Sequence, residues 1–190
     1  VIAFAFVALS LAGSPAASCD PSGPSGAVCS QAADGALRSR ITALLGSIDR
    51  PVSTDDWRRL PAEAAPILGA IASDPGEFPS RRANALGGLT ARGSDSALHR
   101  RLAGDASVPF VVRHSALRGL GSLLPADQRR GALVPLLQRD PDRRIRATAA
   151  EVLATSAPGT GCAAVRAQLS REKTDDRPAF QRALAACGER

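Results

Sequence analysis

The chain has no tyrosine and no methionine, one tryptophan and five phenylalanines, so aromatics make up 3% of its 190 residues against 44% for all hydrophobic residues. A β-sandwich core draws on Tyr, Phe and Trp, whereas a core of Ala, Leu and Val suits closely spaced helices. The same scarcity leaves little to stack on nucleic-acid bases. Lysine is absent apart from Lys173, and a GC-rich genome alone would produce that skew toward arginine, so it is weak evidence for bidentate recognition. There is no Cys-x-x-Cys, and the only histidines, His99 and His114, stand at no zinc, nucleophile or acid–base spacing. Surface or inter-helix packing is the expected role of both. Gly87-Gly88 and the glycines at 119 and 121 lack a following Lys-Ser or Lys-Thr, which sets aside a phosphate loop and leaves close helix packing to explain them. No metal, cofactor or catalytic residue is expected.

What is present begins with residues 1–18, VIAFAFVALSLAGSPAAS, which carry no charge. The apolar run ends near Gly13, too short to span a bilayer but suited to the apolar region of an export signal, and Ala16, Ala17 and Ser18 offer the small residues that cleavage requires. The basic flank and the initiator Met of such a signal are missing. A buried first helix is the competing assignment, though a helix without a polar face is hard to place on a thin helical array. Cys19 resembles the lipidated cysteine of bacterial lipoproteins, with Ala16 and Ser18 departing from that motif. Either lipidation or plain secretion is open, and membrane contact is expected only through such an anchor. The expected location is extracytoplasmic: periplasm, cell envelope or medium. Residues 19–28, CDPSGPSGAV, are rich in Pro, Gly and Ser and read as a flexible linker.

From about residue 64 the chain repeats itself. One apolar pair recurs four times at i, i+4: Ile67 and Ile71, Leu98 and Leu102, Leu133 and Leu137, Val165 and Leu169. An acid follows each pair by three residues, at Asp74, Asp105, Asp140 and Glu172, with shifts of 31, 35 and 32. After each break comes a second helix: RANALGGL from Arg82, RHSALRGL from Arg113, RATAAEVL from Arg146, and a degenerate FQRALAAC from Phe180. A weaker, earlier copy is RITALLGSI from Arg40, set apart by an insertion that holds Trp57. Each helix has one apolar side only, so a single pair cannot bury its face and successive pairs must stack, with Asp and Pro at the turns capping and breaking helices.

This pattern resembles the HEAT-repeat family, particularly the short bacterial HEAT-like units also found in phycobilisome lyases. The residues that carry it are Asp140-Pro141-Asp142, Ile145-Arg146, Ala149-Ala150 and Leu153, with Val112-Arg113, Ala116-Leu117 and Leu120 as the related set. The resemblance implies an all-α fold, a right-handed superhelical solenoid of about four antiparallel helix pairs over residues 29–190. It implies a scaffold for protein–protein contact. It also implies that Arg82, Arg113 and Arg146 are structural, each hydrogen-bonded to a turn acid of a neighbouring repeat. The same repeats serve scaffolds, lyases and some repair enzymes, so fold is better defined by them than activity.

The cysteines are Cys19, Cys29, Cys162 and Cys187. Cys162 opens one helix and Cys187 closes the next, ends that lie together in an antiparallel pair, so a disulfide between them is expected; two buried small apolar residues are the alternative. Cys29 would pair with Cys19 only if Cys19 is not acylated. Asp55-Asp56 and Asp175-Asp176 fall at helix starts, where the helix dipole favours negative charge, so capping is expected of them.

Charge divides the chain. Residues 1–78 carry a net −3 and residues 79–190 a net +9. Arg100, Arg139 and Arg171 lie about 200° to 240° around from the buried pairs at 100° per residue, and stacking would bring them into a row on one surface, in HEAT solenoids usually the concave one. That row is the candidate contact for an acidic protein partner, with a solvated face that keeps the protein soluble as the plainer alternative. The leading functional expectation is an exported binding module at the cell envelope. Nucleic-acid binding and a HEAT-like lyase are the other two, the first opposed by the signal segment and the scarce aromatics, the second supported by no constellation of side chains.

Overall fold

The computed structural model describes the backbone of residues 24–47 and 52–188, with side chains over residues 34–47 and 52–188. Among the described residues there are ten α-helices and no strand: α1 (Pro24–Leu45), α2 (Thr54–Arg58), α3 (Ala64–Ser73), α4 (Pro79–Ala91), α5 (Ser96–Gly104), α6 (Phe110–Leu123), α7 (Ala126–Arg139), α8 (Arg143–Ser156), α9 (Pro158–Leu169) and α10 (Arg177–Ala185). The protein is all-α. It divides into two compact units, Val1–Leu37 and Arg38–Arg190. In the first, the described residues belong to α1; the second holds the remaining helices and the core.

Helix ends follow local chemistry. Ser53 and Asp56 form a capping box on α2, each side chain accepting from the other's backbone N–H. Asp95 caps α5 through the Leu98 N–H, and Asp142 caps α8 through the Arg144 N–H. Proline opens α4 and α9, where its missing N–H costs nothing. Asp56 therefore caps as its position suggests. Asp176 occupies the N-cap of α10 without a capping bond, its carboxylate taken instead by Arg143 at 2.9 Å.

Second helices pack in succession, α4 on α6, α6 on α8 and α8 on α10, while α3, α5, α7 and α9 lie against α4, α6, α8 and α8 respectively. Leu98, Leu102, Leu117, Leu120, Leu133, Leu137 and Leu153 are all buried between them. Ile41 and Leu45 of α1 are buried too, as is Trp57 of α2, whose indole packs on Gly88.

Three details differ from expectation. Pro24 to Val28, expected in the linker, belong to α1, with a proline at its first position, where the fixed φ favours a helix start. In α3 the deeply buried pair is Leu68 and Ala72, while Ile71 is half-buried. In α9 Leu169 is half-buried and Gln168 takes the inner position, its amide donating to Glu172 at 2.7 Å. At both places the first residue of the apolar pair, Ile67 or Val165, stays buried and only the second turns partly outward.

Candidate binding surface

The repeated arginines each turn back onto the preceding helix of their own pair. Arg82 Nε donates to the Ala72 carbonyl and Arg113 Nε to the Ala103 carbonyl, both at 3.0 Å, and an Arg146 terminal nitrogen donates to the Asp140 carbonyl at 2.9 Å. These carbonyls belong to the last turn or cap of a helix, where no intrahelical donor remains and the dipole is negative. The fork then reaches the next turn acid. Arg113 binds both carboxylate oxygens of Asp140, and Arg146 binds both of Glu172, at 2.8 and 2.7 Å. The Arg146 bonds hold Glu172 below the ordinary carboxylate range against the opposing effect of burial, with Gln168 adding to the lowering. Arg82 departs from this. Asp105, the acid in its register, is exposed and bound by Ser107, whose hydroxyl and N–H lie at 2.6 and 2.9 Å and lower its pKa; among the described residues Arg82 has no ion pair. A serine two residues beyond the acid is a local partner with far less chain to order, and it wins.

Arg100, Arg139 and Arg171 are all exposed, and none has an ion-pair partner among the described residues. Arg100 lies on α5 and Arg139 ends α7; Arg171 stands in the turn after α9 rather than on the helix. Cys162 and Cys187 are joined by a disulfide with Cα atoms 6.2 Å apart, tying α9 to the turn that follows α10. Residues 1–18, expected to be an export signal, Cys19 and the Cys29 side chain lie outside the described residues.

His99 is fully buried between α4, α5 and α6. Its Nδ1 lies 2.8 Å from the Asp95 carbonyl, and its Nε2 lies 2.9 Å from Thr90 Oγ1 and 3.2 Å from the Leu86 carbonyl. A Cβ on Gly119 would stand 2.4 Å from the His99 ring, so that glycine makes room for the histidine. His114 is half-buried and tilted against Phe110, its pKa lowered by burial first and by Arg118 second. Arg92 joins α4 to the end of α2, donating to the Trp57, Leu60 and Pro61 carbonyls.

The feature that residue spacing did not reveal is a groove of about 640 Å³ along α4 and α6, bordered by Thr54 and Arg58 of α2. Asn84, Gly87, Ser115 and Ser122 line it, with Val111 at its margin and His114, Arg58 and Arg118 as its ionisable groups. A second hollow of about 380 Å³ continues it toward Val52 and Trp57, sharing Thr54, Asn84, Gly87 and Ser115. Among the described residues no carboxylate lines either. Arg118 also pairs across to Glu151 of α8 at 2.9 Å, both side chains about half exposed. The signal available in the sequence was the register that aligns Asn84 with Ser115 and Gly87 with Arg118, four residues that share one helix face without being apolar.

Among the described residues no group of three or more His, Cys, Asp or Glu could hold a metal ion, and no helix is long and apolar enough to cross a membrane. No protein-family model matches the chain, and no curated protein matches it.

Proposed function

We propose that the chain is a HEAT-like helical solenoid acting as a protein-binding module at the cell envelope, and that its partner is acidic. The observation that carries this is the division of labour among arginines. Arg113 and Arg146 are consumed in linking one turn to the next, whereas Arg100, Arg139 and Arg171 face solvent without a counter-charge among the described residues. The run of packing α4 to α6 to α8 to α10 supports the solenoid, since each helix pair leans on the next as repeat arrays do. The disulfide between Cys162 and Cys187 supports an oxidising compartment, and therefore export.

Capture of partners from an envelope extract, at low and at physiological salt, tests the reading. A partner held by charge is released as salt rises and is held less by the triple Arg100→Glu, Arg139→Glu, Arg171→Glu variant. A partner bound equally by both proteins at both salts would remove the row from the contact. Failure to capture any envelope protein would sink the module itself.

A further inference from the structure

Helices α4 and α6 carry four glycines, Gly87, Gly88, Gly119 and Gly121, in different surroundings. A Cβ on Gly88 would meet the Trp57 ring at 3.0 Å, and one on Gly119 would meet His99 at 2.4 Å, so packing explains both. Gly87 is exposed and a Cβ there would meet nothing within 4 Å. A helix position held by glycine is less stable than one held by alanine, and among the described residues no atom lies against the place of a Cβ at Gly87, a property it shares with Gly131 of α7. The residue lies in the floor of the α4–α6 groove, between both of its hollows. What sets Gly87 apart from Gly131 is its place in the groove, where the missing side chain leaves room for another backbone to approach.

The groove's charge identifies what approaches. Among the described residues its ionisable lining is Arg58, Arg118 and His114, without a carboxylate; Arg58 pairs with Asp55 of its own helix at 3.7 Å and Arg118 with Glu151 at 2.9 Å, all four side chains exposed enough for a ligand carboxylate to compete. Asn84 is exposed, with an amide able to donate and accept, as an extended main chain would need. We infer that the α4–α6 groove binds an extended, acidic peptide segment of a partner protein, its backbone passing over Gly87 and a carboxylate replacing Glu151 at Arg118. This rests on the binding-module reading and names the segment and the place.

Selection of random displayed peptides on the full chain tests it, followed by affinity measurement on four variants. Gly87→Trp fills the floor at an exposed helix position; Gly131→Trp makes the same change on α7, also with open space around it, and serves as the control. Enriched peptides are expected to be acidic, to lose about tenfold or more in affinity on Gly87→Trp and on Arg118→Glu, to tighten on Glu151→Gln, and to bind Gly131→Trp as wild type. Acidic peptides that bind Gly87→Trp undiminished would overturn the groove while leaving an acidic-partner module standing. Enrichment of peptides without acid, or no enrichment, would overturn the inference, and the envelope capture then decides whether the module survives it.

Discussion

Arg113 and Asp140 form a buried ion pair that joins α6 to the turn after α7, 27 positions apart in sequence. Their side chains are only 3% and 4% exposed, and the Asp140 carboxylate also accepts from the Asp142 N–H at 2.9 Å. The pair thus fixes a turn and a helix together at a place where water cannot replace either partner. Asp140→Ala leaves the Arg113 charge buried and is expected to cost about 3–5 kcal/mol in urea unfolding. Arg113→Met with Asp140→Leu removes both charges, and its cost should fall well short of the sum of the two single changes. Strict additivity would mean that the charges do not feel each other.

Glu172 makes the same link to Arg146 nearer the surface, and it carries a pH signature. Its pKa is lowered in the folded state, chiefly by the Arg146 hydrogen bonds, so on acidification the unfolded chain takes up the proton first. The stabilisation is therefore complete above the ordinary carboxylate value of 4.5 and is lost as pH falls through the lower native value. Unfolding free energies of wild type and Glu172→Gln, measured from neutral pH downward, should differ by a constant amount and then converge in acid. A gap that stays constant throughout would show that Glu172 is not the titrating group.

How much of this was legible before the structure can be judged at single residues. Leu133, Leu137 and Leu153 are buried as their spacing implies, because an i, i+4 pair on an interior helix has only one way to face its neighbours. Ile71 and Leu169 are half-buried because the outer helices α3 and α9 turn a neighbouring position inward. The arginine ladder was legible in its two later rungs and not at Arg82, where Ser107 captures Asp105 through a short-range turn that the repeat pattern does not contain. The groove was illegible because Gly87 and Gly88 look alike in sequence; only the placement of Trp57 separates the packed one from the open one.

Those glycines give a paired prediction. Gly87→Ala should stabilise the protein by roughly 0.5–1 kcal/mol, since the new methyl meets open space and the unfolded chain loses freedom. Gly119→Ala should destabilise it by about 1–3 kcal/mol, because His99 and Thr90 stand 2.4 and 2.6 Å from the new carbon in a filled interior. Thermal or urea melts of both variants decide it. The same sign at both sites would contradict the placement of His99.

The Cys162–Cys187 disulfide closes a loop of 26 residues, worth about 3 kcal/mol in the loop-entropy account. Reduction, or the double Cys→Ser change, is expected to lower stability by about that amount and to raise amide exchange in α9 and α10 before α4 and α6. Uniform loss of protection through all helices would show that the bond supports the whole array rather than its end.

Leu137 tests the packing most directly. It lies fully buried on α7, a helix that packs on both α8 and α9, so truncation to alanine removes its contacts at a junction of three helices. Leu133, one turn earlier on the same helix, and Leu153 of α8 are also without exposure, so the interior here is filled and has little room to collapse into a gap. Leu137→Ala should therefore cost about 2–5 kcal/mol in chemical unfolding. Leu169→Ala, half-buried at the end of α9, should cost clearly less. A loss below about 1 kcal/mol at Leu137 is the range of surface substitutions and would place that residue outside the seam between the helices.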